Sequence, residues 1–246
     1  MEKEVNDITA WLKQTVNDAG VDGLLVGVSG GLDSAVVANL IKRAFPENSL
    51  GVIMPIHTST DNMTDADKVV EECGIDSMTI DLTETHDLMY NGIRNELKAK
   101  AEFNEENDRL AGANLRARLR MSTLYTLATN YNYLVVGTDN AAEFYTGYFT
   151  KYGDGGVDIL PIVEFTKTEV REMAAYLNVP DSVVSKKPSA DLWEDQTDEA
   201  EMGVSYDTID AYLKGADIPE KEKQIIEDMH RKTAHKRDAL PAFRRS

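Results

Sequence analysis

A chain of 246 residues, 42% hydrophobic and 28% charged, has an ordinary globular profile and is long enough to bury roughly 70–75% of its unfolded surface without covalent staples. Its one cysteine, Cys73, excludes an internal disulfide, a cysteine-based zinc site and a two-cysteine redox pair. A net charge of −17 speaks against a general nucleic-acid binder, and no apolar run approaches the length of a membrane span. The charged opening, MEKEVNDITAWLKQTVND, lacks the apolar core of a signal peptide, so a cytoplasmic protein is expected.

In chain order, Val5, Ile8, Trp11, Leu12 and Val16 predict an amphipathic helix over 2–18, stopped at Gly20. A strand over 24–28 leads through a Gly- and Ser-rich turn into a helix over 32–45, broken by Pro46. A second strand spans 50–55, a helix 64–73, a third strand 76–82 and a helix about 83–97. Cys73, near the end of the amphipathic 64–73 stretch, reads as a small packed residue rather than a nucleophile. A long helix over 108–130 carries Leu110, Leu115, Leu119, Leu124 and Leu127 as its expected buried stripe. A fourth strand covers 133–136, and 159–163 reads as a short or edge strand. A Thr-capped helix over 166–177 follows, then a polar loop over 186–196 and helices over 206–214 and 219–236. Strands alternating with helices predict an α/β, Rossmann-like, doubly wound fold. Its sheet is mainly parallel, helices lie on both faces, and further helices close the chain in a single domain over 1–246. Ligands of such sheets bind at the carboxyl ends of the strands, where 29–34, 57–60 and 138–143 are expected to meet.

The turn Ser29–Ser34, SGGLDS, has the layout of a phosphate cradle: glycines for close backbone approach, two hydroxyls and a helix N-terminus. Where an ordinary P-loop carries lysine before its hydroxyl residue, this chain carries Asp33. A carboxylate beside polyphosphate is repelled unless a divalent cation lies between them, and Mg²⁺ held by one or two carboxylates and phosphate oxygens fits. Asp139 and Glu143, one helical turn apart after the fourth strand, are candidates for a second carboxylate, or else acids of a helix first turn.

SGGLDS resembles the loop of the N-type ATP pyrophosphatases, which adenylate a substrate and release pyrophosphate. The segments GANLRARLRM (112–121), VVGTDNAAEFYTGYFTKYGDGGVDILPI (135–162), KKPSADLWEDQTDEAEMGVSYDTID (186–210) and HKR (235–237) narrow the resemblance to the ammonia-dependent NAD synthetase family. It runs over most of the chain, and TGYFTKYGDGG with PSADLW is its most specific part.

The resemblance implies ATP held by Gly27, Val28, Ser29, Gly30, Gly31, Leu32, Asp33 and Ser34, with further ATP contacts from Thr138, Lys167 and Ser189. It implies Mg²⁺ on Asp33 and Glu143, and deamido-NAD on Arg118, Lys151, Asp158, His235 and Lys236. Lys187, which with Lys167 would neutralise phosphate charge in a closed state, and Asp158 are the expected catalytic residues, Asp158 by orienting ammonia or accepting a proton from ammonium. Arg116, Arg118 and Arg120 cannot share one helix face, so only one or two of them reach ligand. The implied reaction joins deamido-NAD to AMP as an acyl-adenylate and then amidates it with ammonia, yielding NAD, AMP and pyrophosphate at the last step of NAD biosynthesis. No segment reads as a glutaminase domain, so free ammonia or a separate ammonia-supplying protein is the expected nitrogen source. A homodimer is also implied, with the 2–18 and 110–127 helices as candidate contact faces or as core. The alternatives are another ligase of the pyrophosphatase group, amide-forming or tRNA-thiolating, and a nucleotide-binding protein without turnover. One cysteine and the acidic balance disfavour thiolation.

Overall fold

The computed structural model describes residues 1–186 and 197–245. Four parallel strands, β1 (Gly23–Gly27), β2 (Ser49–Ile53), β3 (Asp76–Thr79) and β4 (Tyr133–Val136), form one sheet in the order β3-β2-β1-β4. The chain steps outward from β1 to β3 and then crosses back to β1's other edge. That reversal opens a crevice over the carboxyl ends of β1 and β4, where sheets of this kind bind ligands.

The helices are α1 (Glu2–Ala19), α2 (Leu32–Ala44), α3 (Thr60–Cys73), α4 (Thr83–Ala99), α5 (Glu105–Tyr131), α6 (Ala141–Thr146), α7 (Lys167–Tyr176), α8 (Asp181–Val184), α9 (Asp198–Met202), α10 (Tyr206–Leu213), α11 (Glu220–Lys232) and α12 (Ala234–Arg237). Side chains alternate across the strands, so Leu24 and Val26 join one apolar cluster with α1, α2, α3 and α7. Leu25, Val52 and Val135 join another beneath α5. A third cluster, around Tyr206, Ile209 and Ile226, ties α6, α9, α10 and α11 together beside the strand ends. Residues Val5, Ile8, Leu12 and Val16 of α1 are buried in the core, whereas Trp11 of the expected stripe is 43% exposed. Cys73 is half-buried, and burial pushes its thiol up to about 11, so it is no nucleophile at neutral pH.

Three expectations change. The 110–127 stripe is core only in part: Leu124 is buried, whereas Leu110 is 54% exposed. At about 1.5 Å per residue the 27-residue α5 runs roughly 40 Å, more than twice the length of a five-residue strand, so its first half overshoots the sheet. The 159–163 strand is reduced to one parallel bridge between Val136 and Ile159. Pro161 carries no N–H for a ladder, and the chain turns there, Phe165 N donating to Ile162 O at 3.0 Å. The last helix is interrupted at Thr233, whose hydroxyl donates to Thr146 O at 2.9 Å and draws the segment after it toward α6.

Candidate active site

A cavity of about 460 Å³ occupies the crevice, with walls from the segments after β1, β2 and β4. The convergence expected of the three strand ends is therefore seen, through Ser29, Thr58 and Thr138 among others. In the turn after β1, Gly30 takes φ +78°, and a Cβ there would lie 2.7 Å from Asn62 O and 2.9 Å from Ala66 N. Only glycine fits that approach of loop to α3. Ser34 Oγ donates to Gly31 O at 3.0 Å and accepts from Ser29 N at 3.2 Å, so the hydroxyls brace the turn from within. The N-cap of α2 is Gly31, which provides no side-chain cap, leaving first-turn amides for an anion.

Acids crowd the opposite side. Asp33, on the first turn of α2, and Glu143, on α6, both face Lys167, whose Nζ lies 2.5 Å from Asp33 Oδ2 and 3.2 Å from Glu143 Oε1. Glu143 is also the capping-box acid of α6. Its Oε2 accepts from Asn140 N at 3.1 Å, so its first-turn role and its place at the cavity coincide. Asn140 Nδ2 donates to Asp33 Oδ1 at 2.9 Å and locks the two acids together. The Tyr206 hydroxyl lies 2.9 Å from Glu143 Oε1 and 3.0 Å from Asp198 Oδ2, and its ring sits under the Lys167 ammonium at 4.6 Å.

Burial pushes the Glu143 carboxyl up to about 7 against the pull of Lys167. Burial also disfavours the Lys167 ammonium, but Asp33 and Glu143 more than offset it and hold its pKa above the usual lysine value. Asp139, 6% exposed, lines the cavity and accepts no hydrogen bond from the described residues. Burial and then the neighbouring acids Asp154, Glu143 and Asp33 hold its carboxyl well above the ordinary range. Among the described residues, Asp33, Glu143 and Asp139 thus outnumber the buried Lys167 ammonium. Two converging carboxylates around an ammonium are a hard-oxygen donor set already gripping a stand-in cation, which fits Mg²⁺.

The other predicted residues divide. Thr138 and Lys236 line the cavity; Lys236 Nζ donates to Gly147 O at 2.6 Å and to Phe149 O. Arg118 and Lys151 stand outside it with His235, linked in series: Arg118 Nη2 donates to Lys151 O at 3.3 Å, and Lys151 Nζ donates to His235 O. Of the three helix arginines it is Arg120 that reaches the cavity, its Nε donating to Met54 O at 3.0 Å. Asp158 is not brought to the cavity. Its Oδ1 accepts from Tyr125 Oη at 2.9 Å and its Oδ2 from Val135 N at 2.8 Å, so it braces the edge of β4. Lys187 and Ser189 lie outside the described residues.

Sequence reasoning passed over Asp154, Asn140, Asp198 and Tyr206 as site residues. Asp154 lines the cavity in a turn closed by Gly153 N donating to Thr150 O at 2.8 Å. Gly155 there fits only because it has no Cβ, which would lie 2.4 Å from the Phe149 ring. Asn140 carried a signal, since Asn three residues before Glu at a helix start spells a capping box. Tyr206 and Asp198 carried none beyond their place in the 186–210 segment of the resemblance.

Comparison with known proteins adds a family. A family model described as NAD synthase matches residues 4–240. The NH(3)-dependent NAD(+) synthetase of Alkaliphilus oremlandii (strain OhILAs) is 57% identical over 242 residues, which cover 98% of this chain and 97% of that protein. The structure of an NMN synthetase from Francisella tularensis matches with a TM-score of 0.90 at 36% identity, over 98% of this chain and 97% of that one. That of an NH3-dependent NAD synthetase from Campylobacter jejuni subsp. jejuni NCTC 11168, in complex with nitrate, matches with a TM-score of 0.77 at 27% identity, over 99% and 98%.

Proposed function

The chain belongs to the NAD synthase family, and on that footing we propose that it is a ligase that amidates deamido-NAD with ammonia at the expense of ATP. The nicotinate carboxylate attacks the α-phosphorus of ATP, forming the acyl–phosphate bond as the bond to pyrophosphate breaks. Ammonia then adds to the activated carbonyl, AMP leaves, and NAD is formed. The observation that carries this reading is the joining of an anion-binding turn, Ser29–Ser34, to a knot of acids around Lys167 within one cavity.

Within it, the amides of Gly27–Ser34 and the first turn of α2 hold the ATP phosphates, with Thr138 on the facing wall. Asp33 and Glu143 would hold Mg²⁺, which would supply charge neutralisation to the triphosphate and the leaving pyrophosphate. Lys167 adds a buried positive charge beside the same phosphates. Lys187 and Ser189 are assigned to this phosphate chemistry by the resemblance alone. Arg118, Lys151 and His235, linked in series outside the cavity, and Lys236, which lines it, make up the dinucleotide side. Ammonium must lose a proton before it attacks. Asp154, which lines the cavity, is better sited to orient it and take that proton than Asp158, whose oxygens are engaged elsewhere. We also infer a homodimer, through Leu88, Met89 and Ile93 of α4, an apolar face that is at least 45% exposed at each residue.

The Francisella tularensis likeness favours one variant of this reading, in which a mononucleotide replaces the dinucleotide. Purified protein with ATP, Mg²⁺ and ammonium, offered deamido-NAD or nicotinate mononucleotide, separates the two. Formation of NAD, AMP and pyrophosphate with the higher kcat/KM on deamido-NAD is the expected outcome. A higher value on the mononucleotide establishes the variant, and no amide from either substrate sinks the assignment.

A further inference from the structure

Outside the cavity, the segment after β2 and the first turns of α4 bring two imidazoles and a carboxylate together. His57 Nε2 lies 2.8 Å from Asp87 Oδ1, and His86 Nδ1 lies 3.1 Å from the same oxygen. One donor atom from each residue falls within 4.8 Å of the other two. A tetrahedral ion with nitrogen and oxygen ligands at about 2.0–2.2 Å holds its ligands about 3.3 Å apart, so the trio already stands near that spacing.

The surroundings hold these atoms in place. His86 is 4% exposed and packs on Tyr90 with ring centroids 5.3 Å apart. Its buried Nε2 has no hydrogen-bond partner, so all polar engagement of the ring falls on Nδ1, at the cluster. His57 takes φ +51°, a left-handed conformation that costs a side-chain-bearing residue energy, and in that conformation its ring meets Asp87. Hydrogen bonding alone satisfies the trio only when both rings turn an N–H toward one oxygen. A cation accepts the lone pairs of all three at once.

We propose that His57, His86 and Asp87 form a three-ligand site for a divalent transition-metal ion of the zinc class. Two imidazole nitrogens and one carboxylate oxygen suit Zn²⁺, Co²⁺ or Ni²⁺ and disfavour Mg²⁺, which keeps to oxygen. Solvent completes the coordination, since the side chains of His57 and Asp87 are 47% and 44% exposed. Bound there, the ion pins the segment after β2 to α4. The same segment presents Met54, Pro55 and Thr58 to the cavity, so the ion fixes one wall of the nucleotide pocket without touching nucleotide.

The test uses untagged, chelator-treated protein titrated with Zn²⁺ by calorimetry and with Co²⁺ by visible absorption, millimolar Mg²⁺ being present throughout. The expected result is one ion per chain, with Co²⁺ absorption of a low-coordinate site that Zn²⁺ abolishes. His57→Ala and Asp87→Asn, both at exposed positions, are expected to weaken binding at least about tenfold while leaving metal-free thermal unfolding unchanged. His86→Asn is expected to weaken binding likewise, with some loss of metal-free stability because its ring packs on Tyr90. Absence of stoichiometric binding by the wild-type chain, or equal binding by His57→Ala and Asp87→Asn, overturns the site.

Discussion

Lys167 holds the acid pair of the cavity together, and its replacement separates two roles. With its side chain 3% exposed, Lys167→Met leaves Asp33 and Glu143 facing each other without a cation. In chelator this is expected to cost roughly 3 kcal/mol of stability, the scale of a broken buried ion pair, read as a fall in Tm. Added Mg²⁺ restores part of the loss in the variant and does little for the wild-type chain. The acids of the 150–158 segment provide the second residue-scale prediction. Asp154→Asn is expected to lower the amidation rate by about 10²-fold with the KM for ATP almost unchanged, the range of a lost general base. Asp158→Asn is expected to lower Tm, because it weakens the contacts to Tyr125 and Val135, and to keep most of the turnover. Steady-state kinetics beside thermal unfolding distinguishes the pair.

Among the elements, the strand-to-helix turn from β1 to α2 is the most exacting. Gly30→Ala places a Cβ against backbone atoms of α3 at a positive φ, so a loss of more than about 1 kcal/mol is expected together with weakened ATP binding. Calorimetric titration with a non-hydrolysable ATP analogue checks the binding. The turn was legible in the sequence because its demands are local: glycines where backbone must pass, an apolar strand before and an apolar helix after. Core strands and α1 were legible for the same reason, as short-range periodicity with a stop signal. The overshoot of α5 was not, because the leucine spacing is equally regular on and off the sheet. Nor was the turn at Pro161, where tertiary position rather than local preference reduces a strand to one bridge. At the site, a loop motif identified Asp33, and chain-order resemblance pointed to Glu143 and Lys167. Tyr206 comes to Glu143 only through folding, across 63 residues of chain, and its hydroxyl brings Asp198 to the same place.

Across the whole molecule, the two faces of the sheet are covered unequally. One side carries several helices. On the other, α5 is overlaid by α4, which buries His86 and leaves Leu88 at 81% exposure. Single exposed apolar residues are ordinary, but Leu88, Met89 and Ile93 fall within six residues of one helix. Leu88→Glu combined with Ile93→Glu is expected to shift the chain from dimer to monomer in light scattering, with helical content retained. An unchanged mass moves the interface elsewhere. No helix among the described residues is long and apolar enough to cross a membrane, so this patch does not belong to a spanning segment.

The ammonium clasped by Asp33 and Glu143 has a consequence for the order of encounters. A pocket built from bare carboxylates would scavenge any divalent ion in its surroundings and wait, loaded, for nucleotide. Here the chain seals its own acids with a tethered charge that cannot diffuse away. A free ion must first evict a resident, whereas an ion arriving on a triphosphate brings the anions to which that resident can turn. On the proposed function, the lysine would act as a latch keyed to the paired cargo.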